Sequence, residues 1–504
     1  HYKKPSVIFG GFFITSTMGL INSLNDWTLF GIIFTGIIIV LGMAEFIRHY
    51  MKWAPESTRQ FIHIFIGLIV ASGPFIFKAN VQLITLSILF IVINMILLMS
   101  GKVKSMHATE RKSYGTVYFP LSVLIMSYLW WDKPVSFILA IFVLAIADPI
   151  AAFIGKNGRT TFIPWRDKKS RRGSLAMFGT TILIIMIGTD ILARVYNATF
   201  LMPLSVLIGL SIFTAFSATL AESISFRGSD NLSTPLITFL SYEIFLINYT
   251  HGTLPQLLVW TVISIGIFSL AWKQKSLSTS GAISGFLMGI IIFGSGGWPW
   301  IIPLVFFFIS ASVLSHLHHK PYSHRNILQI LANGGVGTIF AIIYFFTNFP
   351  PAIVLYLGAI GAATADTWAT EIGFYSKNQP RLVLSKKIVA RGVSGGVTFL
   401  GIFGSAMGAL IIGILGEEIL HLNDLLLPIT IAGLTGSLVD SILGRFIQAQ
   451  FKCRQCGSQT EDRYHCDHKT KLIFGSKWIG NDMVNFINTI AGAFVAYFFW
   501  MNYG

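Results

Sequence analysis

Long apolar segments, each close to the length of a membrane-spanning helix, recur along the whole chain. The hydrocarbon core of a bilayer is about 30 Å thick, so a helix needs about 20 apolar residues to cross it. Segments of this kind extend from residues 27–46 to residues 483–500, and we count about 15 of them. Helices satisfy their own backbone hydrogen bonds inside lipid. The sequence therefore predicts an all-α fold, a polytopic transmembrane helical bundle.

The composition separates this chain from soluble proteins and from nucleic-acid binders. Hydrophobic residues make up 54% of the chain and charged residues 11%, which is unlike a soluble globular domain. The excess of 36 Lys and Arg over 21 Asp and Glu lies in short connections between the apolar segments. By the positive-inside rule these connections face the cytoplasm. We predict an integral, multi-pass membrane protein whose partners are membrane lipids and not nucleic acid.

The sequence begins at His1 without a Met. We therefore expect an upstream segment to be missing, trimmed or replaced by the remnant of a tag.

A polar motif occurs twice and suggests a duplication. The pattern A-D-x-x-A-x-x-I-G at residues 147–155 returns at residues 365–373, an offset of 218 positions from Asp148 to Asp366. Further polar residues keep nearly the same spacing: Lys169 with Lys387, Glu222 with Asp440 and, after one inserted residue, Arg172 with Arg391. We interpret the chain as two homologous domains in tandem, at residues 1–250 and 255–504.

The repeated residue types suit phosphoryl transfer. An acid near the end of a membrane helix is costly unless it meets a cation, a metal or water, so Asp148 and Asp366 are functional candidates. The alternative is an acid that pairs with a nearby Arg only to hold helices together. Each acid is followed by Lys and Arg and then by a Gly-containing helix start, an arrangement that favours phosphate binding. Phosphoryl transfer needs at least a carboxylate that binds Mg²⁺ and, facing it, a cationic loop of this kind that binds the phosphates.

The predicted catalytic residues follow from this pattern. They are Asp148, Lys169, Arg172 and Glu222 in the first half, and Asp366, Lys387, Arg391 and Asp440 in the second. The four acids among them are the predicted Mg²⁺ ligands. A soluble nucleotide-binding module is excluded, because the chain contains neither a Walker-type loop nor the protein-kinase motifs.

Both halves resemble known kinase families. The first half is similar to the polyprenol kinase family, which includes dolichol kinase and phytol kinase. The second half resembles the phytyl-phosphate kinase family. The first resemblance is carried by R-Q-F-I-H at 59–63, the Asp148 motif, Lys169 with R-G-S at 172–174, and A-E at 221–222 before G-S-D-N at 228–231. The second is carried by N-G-G at 333–335, the Asp366 motif, P-R at 380–381, G-V-S-G-G-V at 392–397, G-S-L-V-D-S at 436–441 and G-N-D-M-V-N at 480–485.

The resemblance implies a bifunctional enzyme with CTP as phosphate donor and Mg²⁺ as cofactor. The first half would convert an isoprenoid alcohol (phytol, geranylgeraniol or a polyprenol) to its monophosphate, and the second half would convert the monophosphate to the diphosphate. The nucleotide and phosphate contacts that we expect are Arg159, Gly173, Ser174, Asp230 and Asn231 in the first half, and Arg381, Gly392, Ser394, Gly395, Asn481 and Asp482 in the second.

Two other functions fit the same pattern. A secondary transporter is commonly built from repeats with polar sites at half depth in the membrane. A CTP-dependent lipid-phosphate cytidylyltransferase would need much the same nucleotide-binding groups.

The three cysteines lie together in a polar loop at residues 445–480. Cys453, Cys456 and Cys466, with His465 and His468 beside Cys466, have a spacing that can close a tetrahedral Zn²⁺ site, for which we expect His468 as the fourth ligand. Two alternatives are three reduced structural thiols, and a disulfide with one thiol left over.

Overall fold

The chain is represented by a computed structural model that describes residues 24–100, 113–156, 160–196, 202–317, 324–385, 387–391 and 393–503. It divides into two compact units, His1–Gly252 and Thr253–Gly504. Among the described residues, fourteen helices are long and apolar enough to cross a membrane. Strands occur only as short pieces in this part of the chain. The prediction of an all-helical polytopic membrane protein is confirmed.

The first unit is built around one buried span. Its described helices are α1 (Asp26–Tyr50), α2 (Pro55–Ala71), α3 (Gly73–Ile76), α4 (Val81–Ser100), α5 (Gly115–Leu129), α6 (Pro134–Phe142), α7 (Asp148–Lys156), α8 (Arg171–Val195), α9 (Leu204–Ser223) and α10 (Asp230–Thr250). A π-helical turn, Val143–Ala147, joins α6 to α7. α6 packs against α2, α8 and α10, so this span carries Asp148 through the centre of the unit.

The second unit has the same kind of centre. Its described helices are α11 (Leu254–Lys273), α12 (Thr279–Gly296), α13 (Trp298–Leu317), α14 (Ile327–Thr347), α15 (Pro351–Gly373), α16 (Phe399–Leu420), α17 (Leu426–Phe446) and α18 (Asn481–Tyr503). α15 packs against α13, α14, α16, α17 and α18. This central helix carries Asp366.

Short strands connect the helices on which the predicted site residues lie. In the first unit β1 (Thr161–Phe162) pairs antiparallel with β2 (Lys169–Ser170). In the second unit β3 (Arg381–Leu382) pairs antiparallel with β4 (Gly396–Val397). Between α17 and α18 lie a three-stranded sheet in the order β6–β5–β9 and the hairpin β7–β8. Their bounds are β5 (Gln450–Lys452), β6 (Gln459–Thr460), β7 (Tyr464–His465), β8 (His468–Lys469) and β9 (Lys471–Phe474).

Small residues let the central helix of the second unit approach its neighbours closely. A Cβ atom placed on Gly358 of α15 would lie 2.7 Å from the carbonyl oxygen of Gly492 and 2.5 Å from the Cβ of Ala496, both on α18. Membrane helices associate through such close backbone contacts, because lipid provides no hydrophobic drive between them. The contact fixes α15, and with it Asp366, against α18.

We predict that Gly358→Leu destabilises the protein by about 3 kcal/mol or more, because neither backbone nor Ala496 can move aside without opening the helix pair. The measurement is the thermal unfolding midpoint in detergent. Gly266→Leu is the matched control, since a Cβ at exposed Gly266 on α11 would meet nothing within 4 Å. Equal midpoints for the two variants would contradict this account of the packing.

Candidate functional site

Three carboxylates meet at one end of the first unit. Asp148 begins α7, Glu222 lies in the last turn of α9, and Asp230 begins α10. Asp148 interacts electrostatically with both of the other acids. Glu222 is 8% exposed, so its charge is held largely away from water. Three acids at this depth require cations beside them.

Lys169 supplies one of these cations. Its ammonium group donates to the Glu222 carboxylate and, over 3.0 Å, to the hydroxyl of Ser225. Burial works against the charge of Lys169, but the carboxylates of Glu222, Asp230 and Asp148 raise the pKa of Lys169 above its usual value. Lys169 is therefore a permanent cation at physiological pH. The predicted neighbours Lys169 and Glu222 are brought together by the fold.

Arg59 and His63 also belong to this site, and His63 interacts electrostatically with Arg59 and Asp230. Arg59, near the start of α2, bonds to Glu56 over 2.6 Å and interacts electrostatically with Asp148 and Asp230. The Nε2 atom of His63 lies 2.9 Å from the carbonyl oxygen of Leu144 and donates to it. The sequence signal for both was the R-Q-F-I-H segment at residues 59–63.

Pro149 explains why His63 finds an acceptor inside a helix. In the π-helical turn the N–H of Asp148 bonds to Val143 instead of Leu144. The next N–H that a π-turn would offer to Leu144 belongs to residue 149, and proline has none. The carbonyl of Leu144 therefore lacks a donor in its own helix, and His63 supplies one.

Arg172, Gly173 and Ser174 lie together in the first turn of α8. The N–H of Gly173 bonds to the N-cap hydroxyl of Ser170 over 3.2 Å, and a Cβ on Gly173 would lie 3.0 Å from the carbonyl oxygen of Ala151. Gly173 thus lets α8 cross α7, and its N–H is already bonded. Arg172 is exposed at the start of α8 and Ser174 is half-buried one position after Gly173.

Two further predicted contacts of the first unit, Asp230 and Asn231, lie at the start of α10. Asn231 is buried, and its side-chain oxygen has no hydrogen-bond partner among the described residues. Asp230 is half-buried and accepts from the N–H of Asn231 over 3.2 Å. Arg159 and, in the second unit, Gly392 lie outside the described residues.

In the second unit Asp366 lines a cavity of about 250 Å³. One part of its wall is polar and consists of Arg325, Gln329, Asn333, Thr367, Thr370, Glu371, Asn481 and Asn485. The other part is apolar and includes Phe268, Met288, Leu304, Phe307, Phe308 and Ile330. The cavity therefore suits a molecule with a polar head and an apolar tail.

Among the described residues that line the cavity, Arg325 is the one with a cationic side chain. One of its guanidinium nitrogens donates to the Ser315 hydroxyl over 3.2 Å, and that hydroxyl donates to Glu371 over 2.9 Å. Burial lowers the pKa of Arg325, and attraction to Glu371 opposes the shift. A guanidinium keeps its charge under any physiological condition. Sequence reasoning missed this residue, because it lies in a connection outside the repeated motif.

Asp440 on α17 completes an acid pair with Asp366. The two carboxylates interact electrostatically, and Asp440 interacts likewise with Glu461. One carboxylate oxygen of Asp440 is buried without a hydrogen-bond partner in the described part of the chain. Hard divalent cations bind through carboxylate oxygens. The pair that was predicted as a Mg²⁺ site is brought together and has a free ligand atom.

The predicted cations of the second unit lie elsewhere. Lys387 is exposed in the connection between β3 and β4. Arg391, in the same connection, donates over 3.1 Å to the carbonyl of Phe374 and over 2.5 Å to that of Ser376, so it closes the end of α15. Among the described residues no ion pair joins either cation to an acid of this unit.

The residue that precedes the helix cap differs between the two units. In the first unit the strand residue Lys169 directly precedes Ser170, the cap of α8. In the second unit the cap of α16 is Thr398, and Val397 directly precedes it. The residue directly before the helix cap is thus a lysine in the first unit and a valine in the second, and Lys387 lies further from its helix cap than Lys169 does.

The other predicted contacts of the second unit flank the acid pair. Gly395 has a φ of +81°, and a Cβ there would lie 2.8 Å from the carbonyl oxygen of Ser441. Ser394 donates to Glu461 over 2.5 Å. Asn481 lines the cavity at the start of α18, where Asp482 follows it. Arg381 is exposed in β3.

The fourth group beside the cysteines is His465. Ligand atoms of Cys453, Cys456, His465 and Cys466 all lie within 4.8 Å of one another. The ring of His468 instead donates through Nδ1 to the carbonyl of Cys466 over 2.7 Å. His465 belongs to this group of ligand atoms, and His468, the fourth ligand expected from the sequence, does not. Three thiols and an imidazole this close fit a tetrahedral zinc site with Zn–S bonds of about 2.3 Å.

Sequence comparison assigns the chain to a family. Residues 262–493 match the family described as integral membrane protein DUF92. An uncharacterised membrane protein of Methanocaldococcus jannaschii is 31% identical over 206 residues, covering 40% of this chain and 86% of the relative. The chain belongs to the DUF92 family of integral membrane proteins. Protein PGR of Arabidopsis thaliana is 31% identical over 280 residues, covering 48% of this DUF92 chain and 96% of the relative.

A more distant relative of this DUF92 protein is an enzyme. A protein of Synechocystis named phytol kinase is 27% identical over 225 residues, covering 42% of the chain and 88% of the relative. No solved structure shows significant similarity to the chain.

We predict that Lys169→Met destabilises the protein by about 3 kcal/mol, because it leaves the buried Glu222 carboxylate without its cation. The double variant Lys169→Met/Glu222→Met should recover part of this loss. The exposed neighbour Lys168 provides the control, since Lys168→Met removes the same charge without touching Glu222. Thermal unfolding in detergent measures all three, and a double variant no more stable than Lys169→Met would argue against the pair.

Proposed function

We propose that this protein is a membrane-bound isoprenoid-alcohol kinase with two phosphoryl-transfer sites, one in each unit. The observation that carries the proposal is the cavity of the second unit, where Asp366 and Arg325 face an apolar wall. A cavity of this kind suits a phosphorylated head group on an apolar chain. The phytol kinase relative supports the same substrate class.

The residues present fit divalent-cation-dependent phosphoryl transfer. We propose that Asp148 with Glu222, and Asp366 with Asp440, hold Mg²⁺. When bound, the ion would neutralise negative charge on the donor phosphates. Lys169 and Arg59 in the first unit, and Arg325 in the second, would offset the remaining charge of donor and acceptor. In the first unit the alcohol oxygen would form a bond to the terminal phosphorus of the nucleoside triphosphate, the bond from that phosphorus to the leaving nucleoside diphosphate would break, and the hydroxyl proton would pass to water. In the second unit a phosphate oxygen of the monophosphate would make the same attack, with the same leaving group.

An apolar groove supports an isoprenoid acceptor. It has a volume of about 690 Å³, and its wall in the second unit includes Trp260, Trp298, Ile302, Val305, Phe306, Ile309 and Trp368. Trp368 lies two positions after Asp366 and therefore on another face of α15, so the groove is separate from the cavity that Asp366 lines. A prenyl tail that lies in this groove would stay in an apolar environment. We propose phytol, geranylgeraniol or a polyprenol as the alcohol.

We further propose a division of labour between the units. The first would phosphorylate the alcohol and the second the monophosphate, which carries close to two more negative charges. The additional cation Arg325 in the second cavity supports this order. Because both sites belong to one chain, the monophosphate would be released at a high effective concentration near the second site. We propose CTP as donor, with both sites at the cytoplasmic face where nucleotide is available.

Purified protein with Mg²⁺, CTP and a prenyl alcohol tests the reaction class. Release of CDP with formation of prenyl phosphate is the expected result. Release of pyrophosphate would identify a cytidylyltransferase. The absence of turnover with every acceptor and nucleotide would contradict the proposal that the protein is an enzyme. Phytol, geranylgeraniol, farnesol and a long polyprenol, compared as acceptors, define the chain length.

Single-acid variants test the division of labour. In Asp366→Ala we expect the alcohol to be consumed and the monophosphate to accumulate without diphosphate, because only the second acid pair is lost. In Asp148→Ala added monophosphate should still become diphosphate. Thin-layer chromatography of labelled products separates the two steps. If either variant blocks both steps equally, the two units form one shared site and the two-kinase proposal fails.

Cation variants of the second unit distinguish the cavity from the neighbouring loop. Arg325→Gln should raise the KM for the monophosphate about tenfold, because a charged hydrogen-bond partner of the phosphate is lost. Lys387→Gln removes the same charge from an exposed position and should leave this KM unchanged. The alcohol step, measured in the same preparations, serves as internal control. A larger effect from Lys387→Gln than from Arg325→Gln would show that Lys387, the residue expected from the sequence, is the cation that contacts the monophosphate.

A further inference from the structure

We propose that residues 450–474 form a zinc-stabilised arm that carries Glu461 to the Asp366–Asp440 pair, where its carboxylate is a third ligand of the divalent cation. We call these residues the Cys/His arm. The inference rests on the proposed cation-dependent function of the second unit and adds a residue and a metal to it.

The Cys/His arm is anchored beside the site at both of its ends. The N–H of Ala449, just before the arm, bonds to the carbonyl of Ile479 over 2.8 Å, and the N–H of Ser476 bonds to that of Ile447 over 3.0 Å. These bonds join the end of α17 to the start of α18. Since α17 carries Asp440 and α18 begins with Asn481 at the cavity, the arm leaves from and returns to the wall of the site.

The arm has too little core to hold its shape alone. All of its residues are described, and those that are buried are Phe451, Cys453 and Thr470. Short segments without a hydrophobic core usually need a disulfide or a metal for stability. The three cysteines are free thiols. A zinc ion at the cysteines and His465 would supply that stability.

The backbone of the arm already has the turns that present these ligands. Cys453 and Cys456 lie on a turn closed by the N–H of Gly457, which bonds to the carbonyl of Cys453 over 3.2 Å. Cys466 lies in the two-residue turn of the β7–β8 hairpin with a φ of +50°. The Nδ1 atom of His465 lies 3.5 Å from the sulfur of Cys456 and 3.2 Å from that of Cys466. Both turns therefore direct sulfur atoms toward the same imidazole.

Glu461 connects this cluster to the acid pair. It follows β6, whose residue Gln459 pairs with Lys452 beside Cys453. Its carboxylate accepts from Ser394 over 2.5 Å and interacts electrostatically with Asp440. Ser394 itself packs against α17, because a Cβ placed on Gly444, one helical turn after Asp440, would lie 3.4 Å from the Cβ of Ser394. Glu461 is thus held at the helix that carries Asp440, and a shared cation would relieve the repulsion between the two carboxylates.

A buried amide beneath the acid pair is a second indication of a ligand. Asn488 of α18 is fully buried, and neither polar atom of its side chain has a hydrogen-bond partner among the described residues. It lies against Gly436 of α17, one helical turn before Asp440. An unpaired buried amide is costly. A hydrated cation above it would give this amide a partner.

The zinc content of the purified full-length protein tests the arm. We expect about one zinc ion per chain in the wild type and in His468→Ala, and a clear loss in Cys456→Ser and His465→Ala. Elemental analysis of protein prepared without chelators gives the values. A wild type without zinc, or a Cys456→Ser variant that keeps it, would overturn the zinc assignment.

Manganese binding, followed by electron paramagnetic resonance, tests Glu461. An Asp148→Asn/Glu222→Gln background removes both acids that we propose as ligands in the first unit, so that binding reports on the second unit. There Glu461→Gln should weaken Mn²⁺ binding about tenfold, while the adjacent, exposed Asp462→Asn should not. Zinc content and unfolding midpoint, unchanged in both variants, would show that the arm is intact. Equal affinities in the two variants would refute the role of Glu461.

The outcomes also separate this inference from the proposed function. Mn²⁺ binding that depends on Glu461 without turnover on any prenyl substrate would keep the third ligand and reject the kinase. Turnover that proceeds at the wild-type rate in Glu461→Gln, with unchanged Mn²⁺ binding, would keep the kinase and reject the third ligand.

Discussion

Carboxylates on the central membrane helix of each unit set the requirements for the rest of the structure. Asp148 and Asp366 each lie on a span that is packed on several sides by other helices. Such a group must meet positive charge or another polar partner, because lipid and apolar side chains cannot solvate it. In the first unit the partners include Lys169 and Arg59. In the second unit a second acid with an unpaired oxygen increases the need for a cation.

The two units meet this requirement with different residues. The first unit places a lysine from a short strand directly on Glu222. In the second unit the position before the helix cap is Val397, and the cation of the cavity comes from Arg325, in a connection before α14. Local architecture is thus similar in the two units while the charged partners come from different segments. Common ancestry of the halves stays a prediction.

The sequence was sufficient for those features that depend on local pattern. Long apolar segments gave the helical membrane fold, and the repeated motif pointed to Asp148 and Asp366, which lie on the central spans. It was insufficient where a partner comes from a distant segment. Nothing near Asp440 in the sequence points to Glu461, and the choice of His465 over His468 depends on a two-residue hairpin turn. The cations of the second unit were misjudged for the same reason. Lys387 and Arg391 lie close to the motif in the sequence, but the cation that lines the cavity, Arg325, comes from a different connection.

The hydrogen bond from His63 to Leu144 has a consequence for the chemistry of the first unit. A carbonyl oxygen accepts only, so the bond requires the hydrogen to be on Nε2. In the neutral ring Nδ1 then carries the lone pair, and the tautomer is chosen by a proline one position after Asp148. An unpaired carbonyl in a membrane helix thereby decides which nitrogen of His63 carries the hydrogen and which one can accept a hydrogen bond from a molecule bound near Asp230.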